Sequence, residues 1–187
     1  MFALDAEHHL RLLRRDDGPS LARAYRENRE HLAPWEPLRS EQFYTAEWHT
    51  ENLRQALSSS TAHLHVRLVI EDGDGCLRGR VNLNNIVHGA FCSADLGYWV
   101  DRSRVGRGLA TRAVAVALEH ARAELGLHRV QAATLTHNTA SQRVLAANGF
   151  TRIGAAARYL RIAGEWQDHL LFQRLLEDEV TPTPGRP

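Results

Sequence analysis

The most informative segment of this 187-residue sequence is Arg102-Ser103-Arg104-Val105-Gly106-Arg107-Gly108-Leu109-Ala110. It lies between a strand-like segment ending near Val100 and a long amphipathic segment. The two glycines let the backbone turn sharply and approach a bulky ligand without a Cβ in the way. The first turn of a helix has N–H groups without partners, and the helix dipole favours an anion there. The pattern therefore favours a phosphate site at a helix start, with Arg102, Arg104 and Arg107 adding charge.

A plainer interpretation is that these glycines only give the helix its entry geometry, with the arginines in solvent. The dinucleotide pattern GxGxxG is absent, because the third residue after Gly108 is Thr111, and the P-loop lysine is absent too. Either interpretation predicts a helix over 108–124, where apolar residues recur three and four apart and Gly126 ends the pattern.

A second segment strengthens the case for a ligand site: Asn138-Thr139-Ala140-Ser141-Gln142-Arg143-Val144-Leu145-Ala146-Ala147-Asn148-Gly149-Phe150. Asn138 is the expected cap of a helix over 139–147, which follows a strand predicted at 128–135. Two helices that start at the carboxyl ends of neighbouring strands form a crevice, and sheets of this kind bind ligands there.

The rest of the chain supplies further strands and helices around this crevice. Strands are predicted at 10–13, 64–70, 77–87, 94–100, 128–135, 150–162 and 166–175, and helices at 20–30, 46–57, 108–124 and 139–147. The first four strands predict an antiparallel meander, and the later strand-helix-strand step predicts one parallel neighbour. We therefore expect a single α+β (α/β) domain with a mixed, mostly antiparallel sheet of about seven strands and helices on both faces.

Composition narrows the function classes. The net charge is +1, from 23 basic and 22 acidic residues, which predicts no nucleic-acid partner. No run approaches the roughly 20 apolar residues that span a bilayer, and no signal-peptide pattern precedes residue 13, so we expect a cytoplasmic protein without a membrane partner. Cys76 and Cys92 form no CxxC pair. His63 and His65 lack a third ligand nearby in sequence, so no metal site is expected.

The two ligand-site segments resemble the motifs of GNAT acetyltransferases. Three further segments are similar to the RimJ/RimL branch, the RimJ type most of all: Glu27 to Pro37 (ENREHLAPWEP), Leu96 to Trp99 (LGYW) and Gly164 to His169 (GEWQDH). This resemblance covers roughly 10–175. It implies a GNAT domain over 1–176 and acetyl-CoA as the cosubstrate. The tail over 177–187 is acidic and then rich in proline and threonine, so we expect it to be disordered.

The resemblance also implies roles for particular residues. Tyr98, Trp99 and Val100 would pair with the pantetheine arm through their backbone, and a backbone N–H near Trp99 would stabilise the oxyanion. Val105, Gly106, Arg107, Gly108, Leu109 and Ala110 would wrap the pyrophosphate. Asn138 would touch the pantetheine, and Ser141 would meet the leaving thiolate. The chain departs from the family at Val105, where Gln or Arg is usual, and Arg104 or Arg107 is the expected replacement.

The sequence leaves several candidates for the residues that bind and deprotonate the acceptor amine. Asp95 could act as a base through a water, and Glu36 could hold the amine or serve as the base. The plainer alternatives are a surface carboxylate for Asp95, a loop residue for Glu36 and a residue that only caps the helix for Ser141. Trp35, Tyr159 and Trp166 are candidates for the acceptor pocket, although aromatic residues on strands are more often core.

Three functions remain compatible with the sequence. The RimJ/RimL branch acetylates the α-amino groups of ribosomal proteins, which favours a protein N-terminus as acceptor. The same chemistry could serve a small amine such as an aminoacyl antibiotic. A non-catalytic acyl-CoA-binding module is the alternative from another class. Relatives often dimerise, so a homodimer is an open expectation.

Overall fold

One sheet of eight strands forms the centre of the computed structural model, which describes residues 1–176. The strands are β1 (Phe2–Ala3), β2 (His8–Leu12), β3 (Val66–Asp72), β4 (Leu77–Val87), β5 (Ser93–Val100), β6 (Arg129–Leu135), β7 (Thr151–Ile162) and β8 (Glu165–Leu175). Their order is β1-β2-β3-β4-β5-β6-β8-β7. Only β5 and β6 pair in parallel among these strands, which confirms the mixed, mostly antiparallel sheet. The additional strand is β1, whose two residues are too few to show an alternating pattern.

Helices cover both faces of this sheet. They are α1 (Gly18–Glu27), α2 (Arg29–Leu32), α3 (Ala46–Ser58), α4 (Leu109–Ala123) and α5 (Thr139–Ala147). Along β3, Leu68 and Ile70 pack into the apolar cluster that contains Val114 of α4. Val69 packs into the opposite cluster with Leu53 of α3. Successive strand residues point to opposite faces, so this alternation divides the core into two layers, as predicted.

The first helix differs from its predicted bounds of 20–30. It begins at Gly18, ends at Glu27, and is separated from α2 by Asn28. The Asn28 side chain is fully buried, and its Oδ1 accepts a hydrogen bond from Arg102 N at 2.8 Å. The helix is interrupted here because Asn28 bonds to the chain that follows β5.

The predicted tail, residues 177–187, lies outside the described residues. Within residues 1–176, none of the helices combines the length and the apolar character needed to cross a bilayer.

Candidate active site

A cleft opens between the two parallel strands. β5 and β6 pair only over Ser93–Asp95, opposite Arg129–Gln131. Beyond this point the outer edge of β5 pairs with β4, and that of β6 pairs with β8. The facing inner edges therefore leave backbone N–H and C=O groups available to an extended ligand. Tyr98, Trp99 and Val100 lie on this open part of β5, where the sequence placed the pantetheine contacts.

The glycine loop follows β5 at the open end of the cleft. Gly106 and Gly108 have φ angles of +74° and +72°, which residues with a side chain rarely adopt. Gly108 is the N-cap of α4, so Leu109 and Ala110 are its first residues. Both glycines are exposed, and a Cβ on Gly106 would meet no atom within 4 Å. The loop therefore presents an uncovered helix N-terminus, which fits a pyrophosphate group.

Two of the arginines near this loop are already paired. Arg104 lies 3.6 Å from Glu7, and Arg112 lies 2.6 Å from Asp5. The Arg107 side chain is exposed, and none of the carboxylates in residues 1–176 lies within 4.0 Å of it. Of the two arginines expected to compensate for the valine in this loop, Arg107 is therefore the one free to meet a phosphate.

The start of α5 lies across the cleft from β5. Asn138 caps the helix by accepting a hydrogen bond from Ser141 N at 3.0 Å, as predicted. Ser141 Oγ is 2.8 Å from the Tyr98 hydroxyl, so Ser141 does more than begin a helix. Burial raises the pKa of Tyr98 to about 12, against a smaller lowering effect of the Ser141 hydrogen bond. The single hydrogen of the protonated phenol can go to Ser141 Oγ or to Ser141 O, which is 3.2 Å away; when it goes to Oγ, the serine hydrogen is free for a ligand atom.

The loop after α2 connects the other walls of the site. The Trp35 ring is 5.6 Å from the ring of His137, the residue before the α5 cap. Glu36 O accepts a hydrogen bond from Ala163 N at 2.9 Å, which ties the loop to the β7–β8 hairpin. Trp35 and Glu36 therefore lie where the start of α5 and the hairpin approach each other.

The two candidate bases have different surroundings. The Glu36 carboxylate is 20% exposed and lies 3.5 Å from Arg39. Burial raises the pKa of Glu36 and outweighs the opposing attraction of Arg39 and Arg80. Asp95 is exposed and accepts a hydrogen bond from Asn85 at 2.9 Å, at the closed end of the cleft. Of the two carboxylates, Glu36 is better suited to receive a proton.

The aromatic residues of the hairpin are not core residues. Tyr159 and Trp166 are 46% and 56% exposed. The hairpin extends beyond the end of β6, because Leu135 pairs with His169 and the residues between Ala156 and His169 continue past it. These two side chains therefore remain available to an acceptor.

Comparison with known proteins identifies the family. Residues 8–151 match the family described as the acetyltransferase (GNAT) domain. The chain belongs to the GNAT acetyltransferase family. It is 33% identical over 179 residues to the ribosomal protein uS5-alanine N-acetyltransferase of Escherichia coli (strain K12), covering 95% of this chain and 90% of that protein.

Two solved structures resemble this GNAT domain closely. The ribosomal-protein-S5-alanine acetyltransferase of Vibrio fischeri is 34% identical with a TM-score of 0.87, covering 93% of this chain and 98% of that one. Mycobacterium smegmatis RimJ in complex with CoA-disulfide is 34% identical with a TM-score of 0.84, covering 94% of this chain and 84% of that one. This GNAT chain is thus an acetyl-CoA-dependent N-acyltransferase, which transfers an acetyl group to a primary amine.

Sequence reasoning missed the residues that support the glycine loop of this GNAT domain. Asp101 Oδ1 accepts hydrogen bonds from Ser103 N and Oγ at 2.8 and 2.6 Å, and Asn28 Nδ2 donates to Asp101 Oδ2 at 3.1 Å. These bonds fix the short 3-10 helix over Arg102–Arg104. An asparagine inside a predicted helix was the available signal, because asparagine is a poor helix-interior residue.

The candidate metal pair is not on a strand. His63 and His65 both precede β3, and His65 lies 3.3 Å from Asn84 Oδ1. Across residues 1–176, His, Cys, Asp and Glu side chains form no group of three or more that could hold a metal ion.

Proposed function

We propose that the acceptor is the N-terminal α-amino group of a protein. The observation that carries this proposal is an apolar surface beside Glu36. Leu38, Tyr159 and Trp166 are 74%, 46% and 56% exposed, Tyr159 and Trp166 share one face of the hairpin, and Leu38 lies against Gly164 at its turn. A small amine needs no such surface around its site, whereas exposed apolar residues near a site are typical of protein contacts.

The similarity to the Escherichia coli uS5-alanine enzyme supports the same choice, because it extends over 95% of this chain and includes both walls of the site. The two cysteines are unpaired, which fits a reaction in the cytoplasm.

On the cofactor side, the backbone of Tyr98–Val100 would hold the pantetheine arm and the Val105–Ala110 loop would hold the pyrophosphate, with Arg107 adding charge. A backbone N–H near Trp99 would donate to the carbonyl oxygen as it becomes negative. Ser141, held by Tyr98 at 2.8 Å, would donate a hydrogen bond to the sulfur as the thiolate leaves.

On the amine side, Glu36 would hold the α-ammonium group and accept its proton. An α-amino group titrates near 7.7–8.0 and a lysine near 10.4, so only modest help from a base is needed for the former. The raised pKa of Glu36 lessens the mismatch with the amine. Trp35 and Tyr159 would line the path of the polypeptide.

The proposal is tested by thiol release from acetyl-CoA with two peptides. One has a free N-terminal alanine and no lysine, and the other has a blocked N-terminus and one lysine. We expect release with the first peptide only. Release with the second alone would show a side-chain amine acceptor, and release with neither, by protein that binds acetyl-CoA, would remove peptides as acceptors.

A further inference from the structure

Two arginines on the acceptor face of the sheet have no carboxylate partner. Arg67 of β3 lies opposite Asn82 of β4, and Arg80 lies two residues from Asn82 on the same strand. Residues opposite each other, or two apart on one strand, share a face of the sheet, so the two arginines are diagonal neighbours. Both are half-buried, and in residues 1–176 no carboxylate lies within 4.0 Å of either guanidinium.

Two other arginines of the sheet have carboxylate partners. Arg11 forms ion pairs with Asp17 and Glu71, and Arg78 forms ion pairs with Asp72 and Asp101. Half-buried cations are costly unless they are paired, and the fold supplies two carboxylates to each of these. Arg67 and Arg80 have no such partners within residues 1–176, so an anionic group of a ligand is a candidate partner for them.

The hydrogen bonds of the unpaired arginines are few and long. Arg80 Nη1 is 3.3 Å from the Tyr25 hydroxyl and Nη2 is 3.3 Å from Asn82 Oδ1, while its Nε is buried without a partner. The Arg67 side chain donates no hydrogen bond within residues 1–176. Burial lowers the pKa of Arg67, and the charge of Arg80 lowers it further. These guanidinium groups retain capacity for an anion.

Arg80 lies close to both the cofactor cleft and the proposed amine site. Arg80 lies opposite Trp99, whose strand forms one edge of the cofactor cleft. Trp99 Nε1 donates to the same Tyr25 hydroxyl that Arg80 contacts. The charge of Arg80 also acts on Glu36, the proposed amine site. An amine held at Glu36 would therefore lie close to Arg80, and Arg67 is the diagonal neighbour of Arg80 on the same face of the sheet.

We propose that Arg67 and Arg80 form an anion subsite that binds an acidic side chain at the second or third residue of the acceptor polypeptide. This inference rests on the proposed function, since it assigns a sequence preference to the same acceptor site. Guanidinium and carboxylate form the strong, charge-assisted hydrogen bonds that the pair lacks inside the protein.

The test compares two lysine-free decapeptides that begin Ala-Asp-Glu and Ala-Asn-Gln and are otherwise identical. Calorimetric binding without acetyl-CoA and kcat/KM with it are measured for each. We expect a preference of about tenfold or more for the acidic peptide in both measurements. The variants Arg67→Gln and Arg80→Gln should each reduce that preference severalfold. Arg67→Gln is the safer variant, because its side chain contributes no internal hydrogen bond.

Arg54→Gln is the matched control, because Arg54 is an exposed arginine on α3 paired with Glu51. It should keep the full preference. Equal binding of the two peptides, or a preference unchanged in Arg67→Gln and Arg80→Gln, would overturn the subsite. Acetylation of both peptides without preference would overturn the subsite and leave the proposed function standing. Preferential binding of the acidic peptide without any acetylation would overturn the proposed function and leave the anion subsite standing.

Discussion

The two walls of the cleft are constructed differently. The proposed cofactor wall comes from two continuous segments, Tyr98–Ala110 and Asn138–Ser141, and consists largely of backbone, glycine turns and a helix cap. The proposed acceptor wall is assembled from side chains of separate elements, including Glu36 in a loop, Arg80 on β4 and Tyr159 on β7. A ligand common to a whole family can be held by backbone groups, whereas acceptor choice depends on individual side chains that can vary without changing the fold.

The largest effect should come from the backbone wall. Gly108→Val places a β-branched residue at φ +72°, and its Cβ would lie 3.0 Å from Arg112 Nη1. We expect acetyl-CoA affinity to fall by at least ~100-fold, because the loop can no longer present its N–H groups to the pyrophosphate. Calorimetric titration with acetyl-CoA measures this.

Gly89→Val is the control for backbone strain. Gly89 has a φ of +74° in the turn between β4 and β5, and a Cβ there would meet nothing within 4 Å. The two variants bear a similar conformational cost, so folded Gly89→Val should bind acetyl-CoA normally. Equal affinity of both variants would contradict the assignment of the glycine loop to pyrophosphate.

A smaller effect should follow from the one side chain that the cofactor wall contributes to chemistry. Ser141→Ala removes the hydroxyl 2.8 Å from Tyr98. We expect kcat to fall by about 10–100-fold, because the leaving thiolate loses its donor, while acetyl-CoA affinity stays nearly constant. Steady-state kinetics and titration separate the two quantities.

Tyr98→Phe should reproduce part of that loss, and the double variant should lose less than the sum of the two, since the residues act together. Ser58→Ala, at the exposed end of α3, controls for loss of a serine hydroxyl. A fall in affinity with unchanged turnover per bound complex would make Ser141 a binding residue instead.

The same contrast explains what could be predicted from the sequence. The helix starts at Gly108 and Asn138, the meander and the parallel step were predictable because each rests on local patterns of glycine, caps and alternation. The break at Asn28 was not, because its cause is a bond to Arg102, which lies 74 residues away.

The acceptor wall shows the same limit. Glu36 could be named as a candidate, but its raised pKa depends on burial that arises only when the loop meets the hairpin. Arg67 and Arg80 are neighbours on one face of the sheet only because of the strand register, which a single sequence does not fix.

The smallest effect, and the most specific to the acceptor wall, concerns pH. Burial raises the pKa of Glu36, so this carboxyl keeps its proton to a higher pH than an exposed glutamate does. The amine needs the ionised form, so kcat/KM should rise with pH as Glu36 loses its proton. Glu36→Gln should lose this acid limb and retain about one tenth of the activity near neutrality, because an α-amino group is partly neutral there.

The pH profile of kcat/KM for the N-terminal alanine peptide measures this, with Glu41→Gln as the control. Glu41 is an exposed glutamate that lies, like Glu36, between α2 and α3, and its hydrogen bond to Arg29 lowers its pKa. Replacing it should therefore leave the acid limb in place. If Glu36→Gln keeps the limb, the base lies elsewhere, and Asp95 becomes the residue to test by the same substitution. If Glu36→Gln and Asp95→Gln both keep the acid limb of kcat/KM, that limb reports the ionisation of the substrate amine. The acceptor wall would then bind the amine without supplying a titrating base.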